Sequence, residues 1–338
     1  MRVRYPSFIA VCLTSAWLTA CAGSPSTPSD SPTARMLEGQ TVSAIDGSAS
    51  GGISVRVGSA RAVYTDSSGY FSVDVGGAGS FATTANGTAI VERRTLLDGP
   101  TSERTRLSLI PSSFDLAAFD QMFRTANSRL QRWMSRPSLV ILASVMSYRG
   151  NSGMEYSATA EQMSDAEVAL LAQHLTEGLS LLTGGAYTAF ASVDVERPES
   201  GARVNVGRSG KIVVGRYNGV VSIASTIGFG TWQEQPDGTV TGGTTFLDTD
   251  FDRTDNRRRL LRIHELGHAL GYLHVTTRTS IMNPSIGPEP TEFDRAGAII
   301  AFQRQPGNTS PDIDPAPTSR GFSAGAGRWV DPACRVAR

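Results

Sequence analysis

The sequence predicts an α+β fold in which a small β-sandwich domain precedes a larger domain built on a twisted mixed sheet and two long helices. Three observations lead to this fold class. Residues 38–111 show the period-2 alternation of apolar residues that is typical of half-buried strands. From Phe114 the apolar spacing changes to the helical period, and a continuous apolar run at 139–145 then indicates a strand buried on both faces.

The charge of the chain excludes several classes of partner. Among 338 residues there are 31 basic and 31 acidic side chains, and the formal net charge is zero. The sequence shows neither a basic nucleic-acid-binding patch nor a polybasic membrane patch, so we expect no nucleic-acid partner. The length is sufficient for two domains that each bury a core of their own.

The N-terminal residues predict export from the cytoplasm. An apolar run at 8–18 follows two arginines and is too short to span a bilayer, which suits a signal peptide over residues 1–20. The run ends in LTAC, which resembles the lipobox of bacterial lipoproteins and implies lipidation of Cys21. Several acyl chains there would anchor the protein to the cell envelope, at the outer membrane if the host has two. The alternative is secretion after cleavage at the A-x-A sequence of residues 20–22.

Two segments separate this leader from the larger domain. Residues 21–37 are rich in Ser, Pro and Thr without apolar periodicity, and we expect them to form a solvated tether. Residues 38–111 contain several short apolar alternations separated by Asp-Gly, Gly-Gly and Asn-Gly turn signals, which favours a β-sandwich. The stretch YTDSSGYFSVDV within it resembles the carboxypeptidase-regulatory domains of secreted bacterial proteins. Residues 38–111 contain no histidine and no cysteine, so we interpret them as a spacer or binding module; the alternative is a prodomain that restrains the larger domain.

The larger domain is expected over residues 112–307, followed by a C-terminal tail over residues 308–338. A connecting helix is predicted from Phe114 to near Trp133. Ser164 begins a capping box and with it a second helix. Further strands are predicted at 139–145, 189–195, 211–217, 222–229 and 239–247.

Residues 264–274 read HELGHALGYLH and contain three of the four histidines of the chain. His264 and His268 lie four residues apart, so on a helix they project from the same face about one turn apart. Gly271 allows the backbone to leave the helix in a left-handed conformation, which brings His274 back as a third ligand. Three neutral nitrogen donors with an open fourth position are typical of a catalytic zinc site.

Glu265 is the candidate catalytic residue of this motif. It follows the first ligand directly and would lie beside the metal rather than on it. There its carboxylate can accept a proton from a water that zinc activates, and can later deliver the proton to a leaving amine.

The complete pattern HExxHxxGxxH is identified with the metzincin clan of zinc peptidases, which the chain resembles from about Leu130 to Gly307. The sequence SIMNP at 280–284 resembles the clan's Met-turn, in which Met282 would form an apolar floor beneath the ligands. A helix predicted at 291–304 resembles the helix that closes the catalytic domain in this clan. The resemblance therefore implies a metzincin-like catalytic domain, a twisted mixed sheet plus an active-site helix, behind the β-sandwich.

Two departures leave the subfamily open. Pro284 stands where astacin-like and serralysin-like members carry a tyrosine, and Val275 stands where matrixins usually have Ser or Asp. The Arg132-Trp133 pair and the spacing to the final helix resemble matrixins most.

The resemblance implies a membrane-tethered zinc endopeptidase that acts on protein or peptide substrates. We expect an extended peptide to pair with an exposed strand near residues 239–247. The alternative is a non-catalytic surface lipoprotein that binds a partner through its β-sandwich and retains a vestigial metal fold. Glu265 distinguishes the two, because a protein that only binds has no need of it.

A cysteine, a histidine and a group of aspartates are further candidates for metal-binding residues. Cys334 is the one cysteine outside the leader and lipid site, so it is an unpaired bystander or, alternatively, a thiol that caps the zinc. His174 lies among leucines of a predicted helix and is expected to be a core histidine. Four aspartates crowd the loop before the ligand helix and are either calcium ligands or helix-capping residues: Asp248, Asp250, Asp252 and Asp255.

Overall fold

The computed structural model describes residues 35–124, 128–148, 154–218, 226–316, 327–330 and 335–337. In these ranges the chain is a mixed α/β protein with few helices and a curled mixed sheet. The predicted leader, Cys21 and Cys334 lie outside the described residues. Within the described ranges, no helix combines the length and the apolar character needed to cross a bilayer.

The first seven strands form two small sheets. The first has three strands in the order β4-β1-β7 and the second has four in the order β3-β2-β5-β6. Apolar residues from both sheets meet in one buried cluster, which includes Val55, Phe71 and Leu109. The strand bounds are β1 Met36–Ser43, β2 Ser54–Val57, β3 Val63–Tyr64, β4 Tyr70–Asp74, β5 Gly79–Asn86, β6 Arg93–Gly99 and β7 Thr105–Leu109.

The remaining ten strands form one large sheet. Its main path runs β12-β10-β9-β13-β15-β14-β16, with β11 beside β9, β8 beside β15 and β17 beside β14. Strands β9, β13 and β15 are parallel, whereas β14 is antiparallel to β15. The bounds are β8 Arg132–Trp133, β9 Ser138–Tyr148, β10 Glu155–Gln162, β11 Val193–Glu196, β12 Arg203–Asn205, β13 Lys211–Tyr217, β14 Thr226–Glu234, β15 Thr239–Asp248, β16 Arg328–Val330 and β17 Arg335–Ala337.

Strand β9 explains why its apolar run is continuous. Leu139 and Ile141 belong to the main core, which lies between the sheet and the helices. Val140 and Leu142 face the opposite side and join a second cluster with Phe246. Since both faces of the strand are covered, residues 139–143 are all apolar, and the predicted strand at 139–145 is confirmed within β9.

Five helices accompany the sheets in the described ranges, and those predicted from Ser164 and at 291–304 are confirmed. The capping box at Ser164 is present, with both of its reciprocal hydrogen bonds. The helix predicted at 291–304 begins after a second capping box at Thr291. The bounds are α1 Leu116–Phe123, α2 Asp165–Leu182, α3 Thr249–Thr254, α4 Arg258–Ala269 and α5 Glu292–Phe302.

The connecting helix is shorter than predicted. Helix α1 ends at Phe123, and Arg132 and Trp133 form strand β8 rather than helix. Arg124 adopts an extended conformation, and its guanidinium donates a hydrogen bond of 2.6 Å to Asn308. The helix ends where Arg124 makes this contact with a residue 184 positions away. The apolar periodicity of the sequence does not reveal so distant a partner.

A buried ion-pair cluster joins the first seven strands to the segment after α5. Arg304 donates two hydrogen bonds to Asp312, at 2.8 and 2.9 Å, and a third to the Ser108 hydroxyl of β7. Arg93 of β6 also donates to Asp312, at 2.9 Å. The side chains of Arg304 and Asp312 have no exposed surface, so each charge depends on the other for its compensation.

We expect Asp312→Ala to lower the free energy of unfolding by about 3–5 kcal/mol, because it leaves the buried guanidinium of Arg304 without its paired carboxylate, while Arg93 keeps its ion pair with Asp314. The measurement is urea unfolding followed by circular dichroism. Asp74→Ala, which removes the exposed pair with Arg35, is the matched control and should cost less than about 1 kcal/mol. Equal losses in the two variants would contradict the role of the cluster.

Candidate metal centre and its surroundings

Three imidazoles converge where helix α4 ends. The Nε2 atoms of His264 and His268 lie 3.1 and 3.2 Å from Nε2 of His274. One ligand atom from each residue falls within 4.8 Å of the other two. Nitrogen atoms bound at about 2.0–2.1 Å around a tetrahedral zinc ion are separated by about 3.3–3.4 Å. The spacing is therefore that of three ligands around one ion, and the cluster can hold a metal.

Backbone carbonyls orient two of these rings. Nδ1 of His264 donates to the Ile281 carbonyl oxygen at 2.7 Å, and Nδ1 of His268 donates to that of Tyr272 at 2.7 Å. With the proton on Nδ1, each Nε2 presents a lone pair to the cluster. Burial lowers the pKa of His264 to about 3 and that of His274 to about 4, so both rings are neutral at neutral pH. Neutral rings with converging lone pairs match what a cation requires.

The end of α4 is a Schellman motif centred on Gly271. The N–H of Gly271 donates to the His268 carbonyl at 2.9 Å, and the N–H of Tyr272 donates to the Gly267 carbonyl at 3.0 Å. Gly271 has a φ of +102°, a conformation that side chains disfavour. This turn reverses the chain and places both His274 and the Tyr272 carbonyl beside the helix that carries the other two ligands.

Residues 280–283 form a tight turn beneath α4. The N–H of Asn283 donates to the Ser280 carbonyl at 3.1 Å, which closes the turn. Met282 is fully buried, and its sulfur lies 2.5 Å from the point where a β-carbon on Gly267 would be. The methionine thus packs directly against the helix at Gly267, the residue before His268, and a β-carbon there would require the methionine side chain to move.

Asp294 is a site-supporting residue that the sequence analysis missed. Its carboxylate accepts hydrogen bonds from the Ser280 hydroxyl at 2.5 Å and from the Ile281 N–H at 3.2 Å. It also accepts from the Thr291 N–H at 2.7 Å, as part of the capping box of α5. The T-x-x-D pattern at 291–294 signals the start of a helix, but it carries no sign that the same carboxylate holds the turn whose carbonyl orients His264.

Glu265 lies on the sheet side of α4 and is fully buried. In the described part of the chain, neither of its carboxylate oxygens has a hydrogen-bond partner. Burial raises the pKa of the Glu265 carboxyl well above its ordinary value. A β-carbon on Gly228 of β14 would lie 2.5 Å from Oε1, so the strand passes close beside the carboxylate, and a larger residue there would require the Glu265 side chain to move.

The four aspartates before α4 do not converge, and in the described ranges they form no group that could share a calcium ion. Asp252 is buried and accepts hydrogen bonds from Arg216 and Arg262. Asp248 caps α3, and Asp255 accepts from the backbone N–H of Arg257. Across the described ranges, the His264, His268 and His274 triad is the only group of His, Cys, Asp or Glu whose donor atoms lie close enough to share an ion.

The exposed edge strand was predicted at the wrong place. Strand β15, which covers residues 239–247, pairs with β13 on one side and with β14 on the other. Strand β14 lies outside it and runs along α4, where Gly230 approaches both Glu265 and His268. Periodicity places residues in strands, but it does not give the order of strands in a sheet.

The chain was compared with protein-family models and with curated proteins. No protein-family model matches the chain, and no curated protein is similar to it. The centre must therefore be judged from its donor atoms, their spacing and their hydrogen bonds.

We expect the purified protein to bind about one zinc ion per chain and to lose it when a ligand is removed. Loss of a hydrogen-bond partner of a ligating histidine costs about 10–100-fold in metal affinity, so loss of a ligand itself should cost more. His264→Ala, His268→Ala and His274→Ala are compared by metal analysis after dialysis. His174→Ala is the control, because that ring lies on α2 beside Arg262. Zinc retained by all three variants would contradict the assignment.

Proposed function

We propose that this chain is a zinc-dependent endopeptidase of the metzincin type. The observation that carries the proposal is the convergence of three neutral imidazole nitrogens one residue away from a buried carboxylate without a partner. The Schellman turn and the tight turn at Met282 support it, because they supply the two carbonyls that orient the ligands. The motif HExxHxxGxxH adds the resemblance in sequence.

His264, His268 and His274 would hold the zinc, since an all-imidazole set with an open position suits that ion. When bound, the ion supplies Lewis acidity, which polarises a carbonyl group and brings the pKa of a water molecule to about 7. The proton transfers would be carried out by a side chain of the protein, Glu265. In the described part of the chain no hydrogen-bond donor contacts the Glu265 carboxylate, so both of its oxygens are free to accept a proton.

Glu265 would transfer one proton in two steps, from the attacking water to its own carboxylate and from there to the departing amine. Its carboxylate accepts the proton of the attacking water and then donates it to the nitrogen of the departing amine, which keeps that nitrogen from leaving as an anion. The carboxylate is fully buried beside Gly228, so bulk water does not compete for the proton. Thr245 donates to the Glu265 carbonyl at 3.3 Å and ties this part of the helix to β15.

We also propose that the enzyme acts outside the cytoplasm on protein or peptide substrates. This rests on the signal-peptide and lipobox patterns that end at Cys21, and on no observation of the described residues. A lipid at Cys21 would tether the catalytic domain to the envelope through residues 21–37.

The decisive variant is Glu265→Gln, which keeps the shape of the side chain and removes its basicity. We expect zinc content to be unchanged and kcat/KM on a quenched peptide library to fall about 100–10,000-fold. Glu199→Gln changes an exposed glutamate and is the matched control, with activity like that of the parent.

Normal turnover by Glu265→Gln would contradict the role of this carboxylate. If the zinc-loaded parent cleaves no peptide of a broad library, the proposed activity fails. That result would favour the alternative of a lipoprotein that binds a partner without catalysis.

A further inference from the structure

The outer edge of β14 is covered by the chain's own last described strands. Strand β16 pairs antiparallel with residues 232–234, and β17 pairs antiparallel with residues 226–229. Since β15 occupies the other side of β14, these two short strands take up the hydrogen-bonding edge that would otherwise be open.

This edge passes the proposed catalytic carboxylate. In the β17 ladder Val336 is the partner of Gly228, the residue whose β-carbon would lie 2.5 Å from Oε1 of Glu265. Paired strands lie about 4.8 Å apart, so the backbone of β17 runs within one strand spacing of the position beside Glu265. An extended peptide that is to be cleaved there needs the same edge, because main-chain pairing with an edge strand is how extended peptides gain affinity.

The two strands differ in how they are held. Arg328 of β16 forms an ion pair of 2.7 Å with Glu234. The Trp329 ring lies 3.1 Å from the β-carbon position of Gly207 and 3.3 Å from that of Gly242. Strand β17 has a ladder of three residue pairs with a register shift between Thr226 and Gly228. The β16 ladder has no such shift, so the irregular ladder of β17 can open while β16 stays in place.

We propose that β17 is an intramolecular competitor of the substrate, which occupies the peptide-binding edge of β14 and must leave before an extended peptide can pair there. This inference rests on the proposed peptidase function. Only four residues of the sequence separate β17 from β16, so β17 competes as part of the same chain and not as a free peptide. A peptide binds only to the open fraction, so its apparent affinity falls by that fraction.

The test compares the full chain with a chain that ends at Val330. If the edge is open about one tenth of the time, the shorter chain shows a KM for a quenched extended peptide about tenfold lower, with kcat unchanged. An equal KM in the two chains overturns the proposal. A fall in kcat with unchanged KM also overturns it, because it assigns residues after Val330 a positioning role instead.

A second readout does not depend on catalysis. Hydrogen exchange at the amides of residues 226–229 should be faster in the shorter chain, while exchange in α2 stays the same. A synthetic peptide of residues 331–338, with serine for Cys334 so that no thiol can bind the metal, should restore protection and inhibit the shorter chain competitively. If no peptide is cleaved by either chain but exchange responds in this way, the peptidase function fails while the pairing of β17 stands. If exchange does not change, the pairing itself is contradicted.

A point variant serves if the shorter chain does not fold. Val336→Pro fixes φ near −65°, far from the roughly −140° of an antiparallel strand, and removes one N–H from β17. We expect it to lower KM as the truncation does. Val336→Thr keeps the backbone N–H and the branched β-carbon and should behave as the parent. Equal KM values for the two variants would contradict the competition.

Discussion

Two hydrogen bonds from imidazole Nδ1 atoms to backbone carbonyls orient the rings of His264 and His268 in the candidate metal centre. The two turns next to α4 are built so that these carbonyls reach the rings. The carbonyl of Tyr272 reaches His268 because the Schellman turn at Gly271 reverses the chain. The carbonyl of Ile281 reaches His264 because the tight turn at 280–283 is tied to α5 through Asp294. Without either turn a ring could rotate, and the three nitrogens would no longer face one point.

Helix α4 is held at both ends by contacts outside itself. No side chain caps its N-terminus, but Arg262 in its first half makes a two-fold contact with the buried Asp252. At the other end Trp133 of β8 donates its indole N–H to the Ala269 carbonyl at 3.1 Å. A helix of twelve residues is marginal alone, so these anchors and the buried face determine its position.

The predictions that succeeded are those in which local chemistry agrees with the fold. Strand β13 has the predicted bounds 211–217, the capping box predicted at Ser164 begins α2, and the helix predicted at 291–304 is α5. The spacing of the three histidines was sufficient to find the cluster, because helix geometry and one glycine turn determine it.

The features that could not be predicted depend on residues that are distant in the sequence. Asp294 reads locally as a cap, and strands β16 and β17 have three residues each, too few to show a period.

The glycines beneath α4 have a consequence for how this sequence can change. A β-carbon on Gly230 would lie 2.6 Å from that of His268, and one on Gly243 would lie 2.7 Å from the Ala269 carbonyl. At these two glycines the helix therefore contacts the main chain of the sheet directly, with no side chain of the sheet between them that could adjust. Elsewhere in the core one apolar residue can replace another after small shifts. Here any added carbon displaces the ligands, so substitution is least tolerated at residues that have no chemistry of their own.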